Sequence, residues 1–349
     1  MAEPVLVSNK ICIVGGSIGR DSARKYHGTD WNIWCVARIY DFVSYATLVF
    51  DVHQNADNRT KNTTDAYRDR KLILQAPCSD YPEAFLLPSE ELQEEFPALT
   101  SSFSWIIAYA IRRGATDIAL CGVNMTHVSE LETQRPGLFH TLGMARALGI
   151  NIILPVSGSQ LHTGTDVNFS QSFLPTLNNL EGDDMAKKVV IIGAGNGYEM
   201  IRDYNDKKEY EIWCVPTIYP VLASYRVDKI FELHGTEKWK PGIDYAELEN
   251  KLIIPRALTE VPKATIFGPE ALQAKYGMVF SSSIAWMVGY ALANDVNEIV
   301  FLGVDMENGY SGQRDGLFFL LGFAKAAKVN IVIPETSKLN IFGKSYGWV

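Results

Sequence analysis

What the sequence lacks narrows the field first. It has no apolar run approaching the roughly 18 residues that a membrane-crossing helix needs, so no membrane span is expected. Its N-terminus, Met1-Ala2-Glu3-Pro4-Val5-Leu6-Val7, has neither the basic start nor the apolar stretch of a secretory signal. It has no Cys-x-x-Cys pair. Four of its five cysteines (Cys12, Cys35, Cys121 and Cys214, but not Cys78) lie in apolar, strand-like runs, so buried reduced thiols are expected rather than a disulfide framework or a zinc site. It has no excess of positive charge. A net charge of -8 disfavours a nucleic-acid groove as the main surface, while leaving room for a local basic pocket that takes a small anion. With 47% hydrophobic and 21% charged residues, the composition excludes general disorder, collagen and coiled coil. The expectation is a cytoplasmic protein, in which Asn-x-Ser/Thr triplets such as Asn62-Thr63-Thr64 carry no meaning.

What is present is a duplication. The run Lys10-Ile11-Cys12-Ile13-Val14-Gly15-Gly16 returns as Lys188-Val189-Val190-Ile191-Ile192-Gly193-Ala194, and Ile33-Trp34-Cys35-Val36 returns as Ile212-Trp213-Cys214-Val215. Phe50-Asp51-Val52-His53 matches Phe231-Glu232-Leu233-His234, and Cys121-Gly122-Val123-Asn124-Met125 matches Leu302-Gly303-Val304-Asp305-Met306. Gln134-Arg135-Pro136-Gly137-Leu138-Phe139 matches Gln313-Arg314-Asp315-Gly316-Leu317-Phe318. Order is kept and the offset stays at roughly 180 residues, too long for a solenoid, so each copy is a domain. The chain divides into a first repeat over 1–161, a polar linker over 162–185 and a second repeat over 186–349.

Each copy alternates short, continuously apolar runs with segments of helical spacing. Ile11–Val14, Asn32–Val36 and Leu48–Val52 read as strands, as do Val189–Ile192, Glu211–Val215 and Lys229–Leu233. Ser102–Arg113 and Ser283–Asn294 read as amphipathic helices, with Trp105, Tyr109, Trp286 and Tyr290 assigned to the core. The fold class is therefore α/β: two tandem Rossmann-like lobes, each a mostly parallel sheet covered by helices on both faces.

Ligands of such sheets gather at the carboxyl ends of the strands, and the duplicated motifs fall there. Gly193-Ala194-Gly195-Asn196-Gly197 follows the first strand of copy two; it is either a tight strand-to-helix turn or an anion cradle. It is not the full dinucleotide fingerprint, and no Walker lysine follows. Ser281-Ser282-Ser283 opens a helix, as helix caps or as ligands for phosphate or ribose. His53 and His234 each end a third strand, bonded to loop backbone or moving a proton. Arg135 and Arg314 begin a helix, where a cation opposes the macrodipole and needs another purpose, such as an anion. Asp305 suits a ribose hydroxyl or a metal; Asn124 takes its place in copy one.

On these residues copy two resembles the Rossmann-type domain of bacterial CMP-sialic-acid sialyltransferases, motility-associated glycosyltransferases and the archaeal-type 6-hydroxymethylpterin diphosphokinase. The resemblance covers roughly residues 187–341, with a fainter echo over 10–160. It rests on Ile191–Gly197, the Ile212-Trp213-Cys214-Val215 strand, Ser281–Ser283, Glu298–Met306 and Ile331–Ser337. It implies nucleotide contacts at Gly193, Gly195, Asn196, Gly197, Ser281, Ser282 and Ser283. Two features depart from the family. Tyr198-Glu199-Met200 replaces Pro-Ser-Leu after the glycine turn, and Met306–Gly316 lacks the sialyltransferases' histidine, with His127 in that region of copy one only.

The expected function is a nucleotide-dependent transferase, foremost a glycosyltransferase using a nucleotide sugar. His234 or His53 is the candidate base, Arg314 the diphosphate ligand, and Asp305 a further active-site group. A phosphotransferase or diphosphokinase, which would need Mg²⁺, is the alternative within the fold. A non-catalytic component of an assembly, such as a virus particle, is the alternative outside it, with a homo-oligomer or larger assembly as partner. The nucleotide is expected in lobe two, because lobe one has Ser17, Ile18 and Asn124 where lobe two has Gly195, Asn196 and Asp305.

Overall fold

A computed structural model describes residues 4–53, 66, 68, 71–125, 134–154, 187–277, 279–306 and 311–342. The linker expected over 162–185 and His127 lie outside the described residues. The chain forms two compact units, one of residues 1–172 with 341–349 and one of residues 173–340.

The first lobe has strands β1 (Lys10–Val14), β2 (Asn32–Val36), β3 (Leu48–Asp51), β4 (Leu72–Leu74), β5 (Phe85–Leu86), β6 (Asp117–Cys121) and β7 (Asn151–Ile153). Its helices are α1 (Ser89–Glu95), α2 (Ser102–Arg112) and α3 (Arg135–Ala147). The second lobe repeats them: β8 (Lys188–Ile192), β9 (Tyr210–Cys214), β10 (Lys229–Phe231), β11 (Leu252–Ile254), β12 (Thr265–Ile266), β13 (Glu298–Leu302) and β14 (Asn330–Val332). Its helices are α4 (Pro269–Tyr276), α5 (Ser283–Ala293) and α6 (Ser311–Ala326). Each sheet is seven-stranded and wholly parallel, in the orders β5-β4-β3-β2-β1-β6-β7 and β12-β11-β10-β9-β8-β13-β14.

The sequence explains the central strands. Ile11 to Val14 and Val189 to Ile192 are buried without a break, because a strand with layers on both faces has no solvent side. Both lobes build the same aromatic stack. Trp34 lies 5.2 Å from Phe50 and 5.7 Å from Tyr109; Trp213 lies 5.3 Å from Phe231 and 5.7 Å from Tyr290. Tyr109 and Tyr290 thus fasten α2 and α5 to their sheets; Trp105 and Tyr109 are buried in keeping with their core assignment, whereas Trp286 and Tyr290 are only half-buried. The segments after β1 and β8 differ from full helices: Arg20–Tyr26 and Tyr198–Asp203 are tighter 3₁₀ turns.

The strand order places the site. In the second lobe the chain steps outward from β8 to β12, then returns to the other side of β8 as β13. The carboxyl ends of β8 and β13 therefore bound the crevice where the order reverses, the position at which such sheets take ligands.

Candidate functional site

A cavity of 650 Å³ opens at that reversal in the second lobe. Its floor is Gly193, Ala194 and Gly195 after β8 and Gly303 to Met306 after β13. Val215, Pro216 and Thr217 continue from β9, and Phe231, Glu232 and His234 from β10. Ser282, Ser283 and Ile284 enter with the start of α5, Gln313 with α6, and Lys238 and Lys240 from the segment beyond His234.

Of the residues expected to form a site, Gly193, Gly195, Ser282, Ser283, His234 and Asp305 are brought together here. Asn196, Gly197, Ser281 and Arg314 are not among the lining residues. His53 belongs to the first lobe, at the end of β3.

Packing accounts for the glycine turn. The Gly193 N–H donates to the Leu302 carbonyl (2.9 Å), and the Gly195 N–H donates to the Gly303 carbonyl (2.7 Å). The Asn196 N–H donates to Asp305 Oδ2 (3.1 Å). A Cβ on Gly193 would stand 2.5 Å from the Gly303 oxygen, and one on Gly195 would stand 2.7 Å from Asp305 Oδ2. The two turns interlock too closely for side chains. Gly197 differs: its φ of 86° is left-handed, and a Cβ there would meet nothing within 4 Å. Three of the amides that a phosphate would need are thus already donating within the protein.

Asp305 is correspondingly committed. Its Oδ1 accepts the Lys338 N–H (3.2 Å), and the Ser337 hydroxyl donates to the Val304 carbonyl (2.9 Å). The segment after β14 is thereby tied over the β13 turn. Met306 follows at φ 52°, as Met125 does at φ 49° in the first lobe, so both turns hold a strained non-glycine residue at the same place.

The serines divide their duties. Ser282 caps α5, its hydroxyl accepting the Ala285 N–H (3.1 Å), and the Ser281 hydroxyl donates to the Gln313 carbonyl (3.0 Å). Ser101 and Thr100 do the same in the first lobe. Ser283, the first residue of α5, lines the cavity.

Arg314 is turned inward. The helix starts at Ser311, so Arg314 is its fourth residue, only 8% exposed. Its Nη2 donates to the Lys338 carbonyl (3.2 Å) and its guanidinium lies 5.6 Å from the Phe318 ring centroid. Arg135 behaves alike, donating to the Asn124 carbonyl (3.2 Å) with its guanidinium 5.5 Å from the Phe139 ring centroid. In both lobes the arginine at this helix start thus holds a backbone carbonyl of a neighbouring loop.

His234 has the most suggestive chemistry. Its Nδ1 lies 2.9 Å from Glu232 Oε1, and its own backbone N–H donates to the same oxygen (2.9 Å). Glu232 is 2% exposed, whereas the His234 side chain is 54% exposed. The Tyr245 hydroxyl donates to Glu232 Oε2 (3.1 Å) and accepts the Lys240 N–H (3.0 Å). Burial pushes the Tyr245 phenol up to about 12, and the neighbouring Glu232 adds to the rise, so it stays a donor. With Nδ1–H donated to the carboxylate, Nε2 is the nitrogen left to accept a proton. The first lobe carries the same pair, His53 Nδ1 lying 2.7 Å from Asp51 Oδ1.

Sequence reasoning singled out the histidines and missed their carboxylates. The signal was present: an acidic residue two positions before histidine in both copies, a spacing that puts both side chains on one face of an extended chain. Lys238 and Lys240 carried no such signal. Among the described residues, no group of three or more His, Cys, Asp or Glu side chains could hold a metal, and both Asp305 oxygens are engaged by amides. Among the described residues, the lining does not make up a Mg²⁺ site. No described helix is long and apolar enough to cross a membrane.

Compared with known protein families, curated proteins and solved structures, the chain matches none.

Proposed function

We propose that the second lobe is a nucleotide-dependent transferase, foremost a glycosyltransferase that takes a nucleotide sugar, with His234 as the general base. The observation that carries this reading is the Glu232–His234 pair in the lining of a cavity at the sheet's reversal point. A base must be held in one tautomer and reach a substrate proton. Glu232 supports the first requirement and the exposure of His234 supports the second.

In this reading His234 Nε2 takes the proton of the acceptor hydroxyl as its oxygen bonds to the anomeric carbon. The bond from that carbon to the phosphate oxygen breaks, and the nucleotide leaves with the electron pair. Glu232 steadies the imidazolium formed, as the buried carboxylate of a catalytic triad does. Ser283 and the start of α5 are suited to the leaving group's negative charge.

The experiment is a thermal-shift screen against CMP, UDP, GDP, ADP and their sugars, followed by donor turnover for His234→Gln. A stabilising nucleotide, turned over by the parent and about 100-fold less by the variant, is expected. The non-catalytic reading is favoured by one observation: Asp305 already occupies the Asn196 amide that a phosphate would use. A screen without a single hit would select it.

A further inference from the structure

If the glycine turn does not receive the ligand's phosphate charge, another part of the cavity must. We infer that Lys238 and Lys240 form the anion-holding arm of this site, for a phosphate or diphosphate group. This rests on the reading of the cavity as a nucleotide site.

The inference starts from the segment that carries them. Thr236–Lys238 is one 3₁₀ turn, and Trp239 is extended at φ -61°, ψ 141°. Trp239 packs inward and stacks on Tyr245, with ring centroids 4.2 Å apart and planes 19° apart. The residues on either side, Lys238 and Lys240, both line the cavity. The strap is anchored twice, by that stack and by the Lys240 N–H donating to the Tyr245 hydroxyl. Tyr245 in turn donates to Glu232, which holds His234. One chain of contacts therefore ties the backbone of the strap to the carboxylate that holds the base, and the two lysines flank Trp239 with exposed side chains.

The charges are available. Neither Lys238 nor Lys240 has a carboxylate partner among the described residues, in contrast to Lys229, which pairs with Glu211, and Lys263, 2.6 Å from Glu249. The cavity's two carboxylates are both engaged, Glu232 by His234 and Tyr245 and Asp305 by two backbone amides. An anion entering the cavity meets two lysines that have no carboxylate partner among the described residues, together with Ser283 and the amino end of α5, while the glycine turn offers it little.

The test uses inorganic pyrophosphate and the full chain. Calorimetric titration compares the parent, Lys238→Gln/Lys240→Gln, and the charge-matched control Lys207→Gln/Lys208→Gln, whose residues precede the amino end of β9, whereas the cavity lies at the carboxyl ends of the strands. Thermal melts check that each variant folds. The expected result is pyrophosphate binding in the parent, unchanged in the control and weakened at least tenfold in the Lys238/Lys240 variant. Equal binding in both variants, or none in the parent, overturns the inference. The nucleotide reading is judged separately: a nucleotide that binds the Lys238/Lys240 variant as tightly as the parent would leave that reading standing and remove the lysines. Pyrophosphate bound through the lysines with no nucleotide bound would do the reverse.

Discussion

A histidine acts as a base by virtue of what holds its other nitrogen, and in this protein that is a buried glutamate. Glu232→Ala takes the acceptor from the Tyr245 hydroxyl and from two donors of His234, and leaving such groups unsatisfied costs about 1–3 kcal/mol. His234→Gln removes one donor to that carboxylate but leaves its backbone N–H and the Tyr245 hydroxyl in place, so it should cost less, about 0.5–1.5 kcal/mol. Urea denaturation of the two variants checks this ordering; equal losses would mean that the pair is not built as described. Tyr245 adds a pH dependence. Its phenol is raised from the ordinary 10.0 to about 12, so folding favours the protonated form. The stability it contributes is intact below about pH 10 and is lost as pH rises through its folded value. Alkaline melts of the parent should fall across that window, and Tyr245→Phe should flatten the fall. At this scale the sequence was half legible. Histidine two residues after an acid could be read as a pair on one strand face, but the burial of Glu232 could not, because it depends on Tyr245 and the strap that follows. The inward turn of Arg314 was illegible for the same reason: it bonds the Lys338 carbonyl, in a loop 24 residues away.

At the scale of elements, the interlocked turns after β8 and β13 make the clearest prediction. Gly193→Ala forces a Cβ against the Gly303 carbonyl, which cannot withdraw without parting two central strands, and overpacking of this kind costs about 1–3 kcal/mol. Gly197→Ala has space and suffers only from its left-handed backbone, roughly 1–2 kcal/mol. Asparagine tolerates that conformation, so Gly197→Asn should recover part of the loss and Gly193→Asn should recover none, as read by chemical denaturation. Recovery at Gly193 would show that conformation, not close approach, demands glycine there. The β-rich runs ending in glycine were legible because burial on both faces writes itself as unbroken Val and Ile. The edge strands β5 and β12 were not, since two residues cannot show a period. The turns Arg20–Tyr26 and Tyr198–Asp203 also escaped reading as 3₁₀, because their spacing differs little from that of a short helix.

The whole molecule is one α/β lobe written twice and then edited. Duplication preserved what the fold requires: the aromatic stacks, the helix-start hydroxyls, the paired glycine turns and the inward arginines. This explains why a repeat comparison found the fold so readily and the site less so. Residues kept for packing and residues kept for a ligand repeat with equal fidelity, and only the geometry separates them. The lobes diverge at the carboxyl ends of the strands, where Ile18 stands 75% exposed after β1 and Asn124 is buried after β6, against the engaged turn and Asp305 of the second lobe. The central claim, that the second lobe's cavity takes a nucleotide, has a direct measurement. The nucleotide that stabilises the parent most is titrated calorimetrically into the parent, into Ser283→Trp, which fills the cavity, and into Ser102→Trp, its counterpart in the first lobe. The account predicts one site per chain, abolished in Ser283→Trp and retained in Ser102→Trp, with both variants folded. No binding in the parent, or binding that survives in Ser283→Trp and disappears in Ser102→Trp, would contradict it.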